Sequence, residues 1–215
     1  MSRPPRRHPA LDFYARGVFP MAQAADDPAV FLVEPDYRGV FPLKGLKLPR
    51  RLQRTVRQDR FEVRVNTAFP RVLDACAAPD RPGAWINPPL RRMYLEMHAA
   101  GSAHSVEAWR EGRLAGGLFG VSLRGAFFGE SMFSVETDAS KVALAHLAAH
   151  LVLGGFQLLD AQFITEHLAS LGAEEIPRAV YLERLAGALE VEGVIGAPAA
   201  VLSGAEVLQV ISQAS

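Results

Sequence analysis

The apolar and polar positions of this chain change period several times, and the changes divide it into elements. Through HSVEAWR, LAGGLFGVSL and AFFGESMFS the period is two, and the short EGR and RG breaks between these runs predict an antiparallel meander. Upstream, AFPRVLDACAA and LRRMYLEMHAAG carry helical spacing, the second stopped by Gly101 in the manner of a C-cap, with the punctuated loop APDRPGAWINPP between them. Downstream, a helix is predicted from about Ser140 to Leu153, with Asp138 or Ser140 as N-cap and Gly154 and Gly155 as its stop. FQLLDAQF reads as a buried strand, and EHLASLGAEEIPRAVYLERLAGAL as helix, short strand and helix.

Nearer the start, the pattern predicts a helix over residues 49–58 and a strictly alternating strand at FEVRVN. Pro and Gly break residues 1–50 into short pieces. VFP occurs there at 18–20 and 40–42, each time after a glycine, which predicts two short strands or turns. The tail beyond Gly193, rich in Ala, Gly and Val, carries no pattern. The sum is an α+β plan, a mixed or antiparallel sheet with flanking helices. It is organised as a small N-terminal region (1–60) with a basic helix, a main domain (61–190) and a C-terminal extension (191–215).

Composition narrows the function classes. With 215 residues, 49% of them hydrophobic, the chain can bury a sizeable core. Its formal net charge of +0 gives no global field for nucleic acid or membrane. The single cysteine, Cys76, excludes an internal disulfide framework and multi-cysteine metal sites, and reads as a small buried hydrophobe in a reducing compartment. The N-terminal arginines are followed by no apolar signal region, and no later stretch has the length of a membrane span, so a cytoplasmic location without membrane partners is expected.

Charge is nevertheless uneven. Lys44, Lys47, Arg50, Arg51, Arg54, Arg57, Arg60 and Arg64 face only Asp59 and Glu62 over the same stretch. Arg50, Arg54 and Arg57 recur at helical spacing and share one stripe, either a phosphate-binding surface or a solvated face.

The chemistry-bearing candidates are few. Glu130 sits in the apolar run GESMFS, where a carboxylate needs partners. In LLDAQF, strand alternation puts Asp160 and Gln162 on one face, away from Leu159, Ala161 and Phe163. Such a pair can cap a helix and satisfy a loop, or, beside Glu130, hold a cation and orient an amine nucleophile. His146 and His150 have metal-ligand spacing in HLAAH but lack the glutamate of HExxH, which favours a helix-face or core role and no metal. Leu118, Phe127, Met132, Leu144 and Leu147 are candidates for lining an apolar pocket, and ordinary core packing accounts for them equally. Trp85, in its Pro- and Gly-rich loop, either stacks a base or plugs the core.

The strings AHSVEAW, GESMFS, DASK and HLASLGAEEIPR, with GVFPMA near the start, together strongly resemble the bacterial leucyl/phenylalanyl-tRNA-protein transferases over residues 16–189. The resemblance implies a C-terminal domain like the GNAT acyltransferases and a reaction without metal or coenzyme. The implied reaction moves leucine or phenylalanine, and less readily methionine, from tRNA to the N-terminal Arg or Lys of a protein, marking it for degradation. By motif match, Glu130, Asp160 and Gln162 would be the catalytic and acceptor-binding group, and Trp85 and Tyr94 would flank the 3′ adenosine. Phe127, Met132 and Ser134 fall at the implied side-chain pocket, and the Arg50, Arg54 and Arg57 stripe would meet tRNA phosphates.

The chain departs from the family pattern in three respects. The Gly-Gly-Asp-Leu string before GIFP has no counterpart, a C-terminal extension is present, and Met21 and Leu32 stand where some members have tryptophan. Two rival classes are an acyl-coenzyme A N-acyltransferase and a non-catalytic tRNA-binding module. Against the first, Glu136 and Asp138 just before the helix would repel a pyrophosphate. Against the second, a phosphate-binding stripe leaves Glu130, Asp160 and Gln162 without a role.

Overall fold

The computed structural model describes residues 7–43, 46, 48–81, 83–195 and 202–214. In chain order the elements are α1 (Leu11–Tyr14), β1 (Phe19–Met21), β2 (Phe31–Val33), β3 (Tyr37–Phe41), α2 (Arg50–Arg57), β4 (Glu62–Val65), α3 (Phe69–Cys76) and α4 (Pro88–Ala99). They continue with β5 (Ala103–Arg110), β6 (Arg113–Leu123), β7 (Ala126–Ser134), α5 (Ala139–Leu153), β8 (Leu158–Gln162), α6 (Glu166–Ser170), β9 (Glu174–Pro177), α7 (Arg178–Leu189) and α8 (Gly204–Gln213).

One seven-stranded sheet, in the order β4-β5-β6-β7-β8-β3-β9, carries the fold, and β1 and β2 form a separate pair. The predicted meander is β5 to β7. Its first turn places Glu111 (φ 50°) and Gly112 (φ 71°) between the paired Arg110 and Arg113, a two-residue hairpin in which both central residues take positive φ. All pairings in this sheet are antiparallel except β7 with β8, which run parallel from Ala126↔Leu158 to Phe128↔Asp160 and pair no further. β3, from the expected N-terminal region, lies inside the sheet between β8 and β9.

Each face of the sheet has its own core. Leu118, Phe127 and Leu159 pack with α5, α2 and α8, while Phe119, Phe128 and Tyr14 pack with residues of α3, α4 and α7. Helix α5 is buried almost all round; of the HLAAH histidines, His146 is a core residue at 3% exposure and His150 is half-buried. Burial lowers the pKa of His146 to about 4, which keeps it neutral.

Two local expectations are corrected. Asp138 occupies the N-cap position of α5, but its φ of 69° turns the carboxylate to Lys141 (3.0 Å) and it caps nothing; the Ser140 N–H donates instead to Ser134 Oγ at 3.3 Å. The tail holds α8, whose start is a capping box in which Ser203 and Glu206 satisfy each other's backbone N–H groups. The short elements α1 and β2 give no periodic signal over three or four residues. Lys44 and Lys47 of the basic run lie outside the described residues. No helix among the described residues is long and apolar enough to cross a membrane.

One irregularity prepares the site. Between β6 and β7 the register shifts so that Phe119 faces Ser131 and Gly120 faces Gly129, leaving Glu130 outside the ladder. Opposite this bulge a Cβ on Gly120 would overlap Phe128 O and the Phe127 ring. Gly120→Ala is therefore expected to destabilise the fold by about 1–3 kcal/mol, as overpacking does, measured as a lowered urea midpoint.

Candidate active site

Without a bulge, Phe127 and Met132, five residues apart, would point to opposite faces of β7. The bulge resets the alternation: both join the α5 core, while Glu130 turns to the opposite side to meet Tyr14 and Tyr94. The Glu130 Oε1 atom accepts a hydrogen bond from Tyr14 Oη (2.7 Å), and Oε2 accepts from Tyr94 Oη (2.8 Å) and Gln162 Nε2 (3.1 Å). Burial pushes its pKa up to about 7 against the pull of these three donors, with nearby Asp160 adding to the rise. The same burial, then the Glu130 charge, holds both tyrosine hydroxyls well above their usual range, so they remain donors.

Asp160 and Gln162 do come beside Glu130. A second register shift, where β3 pairs with β8, and a left-handed backbone at Gln162 (φ 62°) aim its carboxamide at the carboxylate. The surroundings of Asp160 are different in kind. It is fully buried, and Arg38 donates to it from Nε (3.0 and 3.1 Å to the two oxygens) and from Nη2 (2.7 Å). Tyr181 Oη and the Gln162 backbone N–H each add a bond of 2.7 Å. Burial opposes the charge of Arg38, but the Asp160 carboxylate outweighs it and raises the guanidinium pKa. Both oxygens of Asp160 thus hold two or more donors, whereas Oε1 of Glu130 holds one and keeps an acceptor position open.

A hollow of about 100 Å³ opens where β7 and β8 part. Leu118, Met132, Leu144 and Leu147 wall it, and Glu130, Asp160 and Ala161 lie on its border. Its size approaches that of the ~150 Å³ engineered cavity that takes up benzene. Phe127 is fully buried edge-on to Phe156 and does not line it. Ser134, at the exposed end of β7, donates to Glu136 O at 2.8 Å and lines a neighbouring hollow with Arg81 and Lys141.

The Trp85 and Tyr94 rings meet edge-on at 6.5 Å, but Tyr94 has no exposed surface, so the partly exposed Trp85 is the ring of this pair that a nucleotide can reach. Met21 pairs with Phe31, and Leu32 and Phe31 are 49% and 44% exposed. On α2, Arg50, Arg54 and Arg57 are exposed, while Leu52, Thr55 and Val56 pack inward. Among the described residues no group of three or more His, Cys, Asp or Glu is arranged to hold a metal ion.

Sequence reasoning missed Tyr14, Arg38 and Tyr181. Arg38 left one signal, a cation inside the apolar strand YRGVF, which is tolerable only with a buried partner. The tyrosines left none, because their hydroxyls are brought to the acids from remote helices.

Comparison with known proteins gives the family. Residues 40–186 match the family described as leucyl/phenylalanyl-tRNA protein transferase. The chain is 58% identical over 212 residues to the leucyl/phenylalanyl-tRNA-protein transferase of Phenylobacterium zucineum, covering 95% of this chain and 96% of that one. It is 56% identical to the protein of that name from Caulobacter vibrioides, covering 94% of each chain. The like-named protein of Afipia carboxidovorans is 54% identical over 94% of this chain and 90% of its own. With more than half its length matched by the family and relatives this similar along nearly all of it, the chain belongs to the leucyl/phenylalanyl-tRNA-protein transferase family.

Proposed function

We propose that this chain transfers a leucyl or phenylalanyl group, and less readily methionyl, from tRNA to the N-terminal Arg or Lys of acceptor proteins in the cytoplasm, marking them for degradation. One observation carries the reading: an apolar hollow of side-chain size bordered by a carboxylate with a pKa of about 7 and an open acceptor position. The aminoacyl side chain fills the space between Leu118, Met132, Leu144 and Leu147, which sets its ester carbonyl near the parting of β7 and β8. Ser134 and Phe127 act around this pocket rather than as its wall.

The aminoacyl ester is already activated, so positioning and proton transfer suffice. The acceptor amine nitrogen bonds to the ester carbon while Glu130 takes its proton. The carbon–oxygen bond to the ribose then breaks, and Glu130 returns the proton to the 3′ oxygen. Tyr14, Tyr94 and Gln162 hold the base in place. Asp160, with its acceptor positions filled, anchors Gln162. Trp85 stacks the terminal adenosine with Tyr94 beneath it, beside Met21 and Leu32. The acyltransferase-like description of the domain is part of this proposal, supported by a parallel strand pair that parts at the hollow.

The Arg50, Arg54 and Arg57 stripe contacts tRNA phosphates. Arg54→Ala is expected to weaken tRNA binding and to lower the slope of log affinity against log salt by about one, measured by filter binding from low to physiological salt.

The deciding experiment supplies labelled phenylalanyl-, leucyl- and methionyl-tRNA with a protein beginning in Arg or Lys, and acetyl-coenzyme A in parallel. Label in the acceptor from tRNA alone supports the reading. Acylation from the thioester alone, or tRNA binding with no transfer to any acceptor, refutes it.

A further inference from the structure

Arg38 is a lone cation in β3, 1% exposed, with its guanidinium between the rings of Phe19 and Tyr181 at 4.5 and 4.6 Å from their centroids. An ion pair as buried as Arg38–Asp160 adds little net stability over apolar side chains of the same volume. What it does supply is fixed geometry, and here that geometry runs to Glu130 by two routes.

The first route is through the carboxylate. Arg38 fixes Asp160, whose Oδ1 accepts the Gln162 N–H at 2.7 Å and so holds Gln162 in its left-handed turn. That turn carries Nε2 to Glu130 Oε2. The second route is through the backbone. Arg38 Nη1 donates to Gly17 O at 2.9 Å, and the Gly17 N–H closes the turn onto Tyr14 O at 3.0 Å. Gly17 has φ 77° and its Cβ would lie 2.9 Å from Leu182, so only glycine suits this junction. Tyr14 in turn donates to Glu130 Oε1. The guanidinium is thereby tied to a donor on each oxygen of the base, while its own hydrogen bonds go to Asp160 and Gly17 O and not to Glu130.

Resting on the transfer reading above, we propose that Arg38 is a positioning residue: through Asp160 and Gly17 it fixes Gln162 and Tyr14, the donors that orient the Glu130 carboxylate toward the acceptor amine. Two variants test it. Arg38→Lys keeps the charge but loses the fork, and the double variant Arg38→Met with Asp160→Leu removes both charges and keeps the fold by apolar packing.

The expected result is a folded double variant whose tRNA affinity equals that of the unaltered protein and whose kcat falls about 10²-fold, the scale of a misplacement of roughly 1 Å. Arg38→Lys falls in the same direction. The Gln162 side-chain amide resonance, read by ¹⁵N NMR without turnover, moves in both. A purely structural role predicts the opposite: a stable double variant with unaltered kcat and an unmoved Gln162 resonance, which overturns the proposal. Absence of transfer by the unaltered protein counts against the reading above, while the Gln162 resonance still decides the positioning.

Discussion

Glu130→Gln is expected to lower kcat for aminoacyl transfer by about 10²–10⁴-fold, the usual contribution of a positioned general base, with tRNA affinity unchanged. Glutamine preserves the shape, its one acceptor oxygen keeps the Tyr94 and Gln162 donors and its NH2 reverses the bond to Tyr14, but it cannot take a proton from the acceptor amine. The pH profile separates this from a steric effect. In the unaltered protein the rate rises through about pH 7 as Glu130 becomes a carboxylate, and again as the acceptor α-amine, with pKa about 7.7–8.0, loses its proton. In the variant the first rise disappears. The hydroxyls of Tyr14 and Tyr94, held well above the usual tyrosine range, keep their protons near neutrality and supply no replacement for that rise.

The same substitution is expected to stabilise the fold above neutrality. The folded-state pKa, about 7, lies above the ordinary 4.5, so between these values the native state keeps a proton that the unfolded chain has released. Stability from this group is full below pH 4.5, declines as pH rises to about 7 and is level beyond, by at most about 3 kcal/mol at 1.36 kcal/mol per unit. Urea unfolding at pH 5 and pH 8 should show that decline in the unaltered protein and a flatter curve in Glu130→Gln. Equal declines in both would rule out a raised Glu130.

Asp160→Asn is expected to cost about 3–5 kcal/mol of stability, because it leaves the Arg38 guanidinium buried without a counter-charge. The kcat for transfer should fall about 10²-fold as well, since the side chain that holds Gln162 is altered. The partner substitution makes the origin visible. Adding Arg38→Met to Asp160→Asn should recover part of the lost stability and none of the activity, measured by urea unfolding and the transfer assay as a double-mutant cycle. Full stability in Asp160→Asn alone would mean that the pair is not the anchor described here.

The sequence determined by itself everything that depends on neighbours along the chain. The meander, α2, α4 and α5 follow from period, glycine stops and turn residues, and they stand within a residue or two of where the pattern put them. The strings GESMFS and LLDAQF also identified Glu130, Asp160 and Gln162, because a polar residue in an apolar run needs a partner wherever the run is buried. α8 went unread in a tail of Ala, Gly and Val, and its Ser203 and Glu206 capping box emerged only with the structure.

Only the tertiary structure decided who those partners are. Which of the two acids is free and which is held depends on Arg38, Tyr14 and Tyr181, at sequence separations of 122, 116 and 21 residues from the carboxylate each one meets. The face on which Glu130 emerges depends on a bulge that strict alternation cannot express, and the same bulge carries Met132 into the hollow wall. Local propensity sets φ, ψ and period, but hydrogen-bond partners between strands and helices are fixed only when register and packing bring remote segments to within about 3 Å.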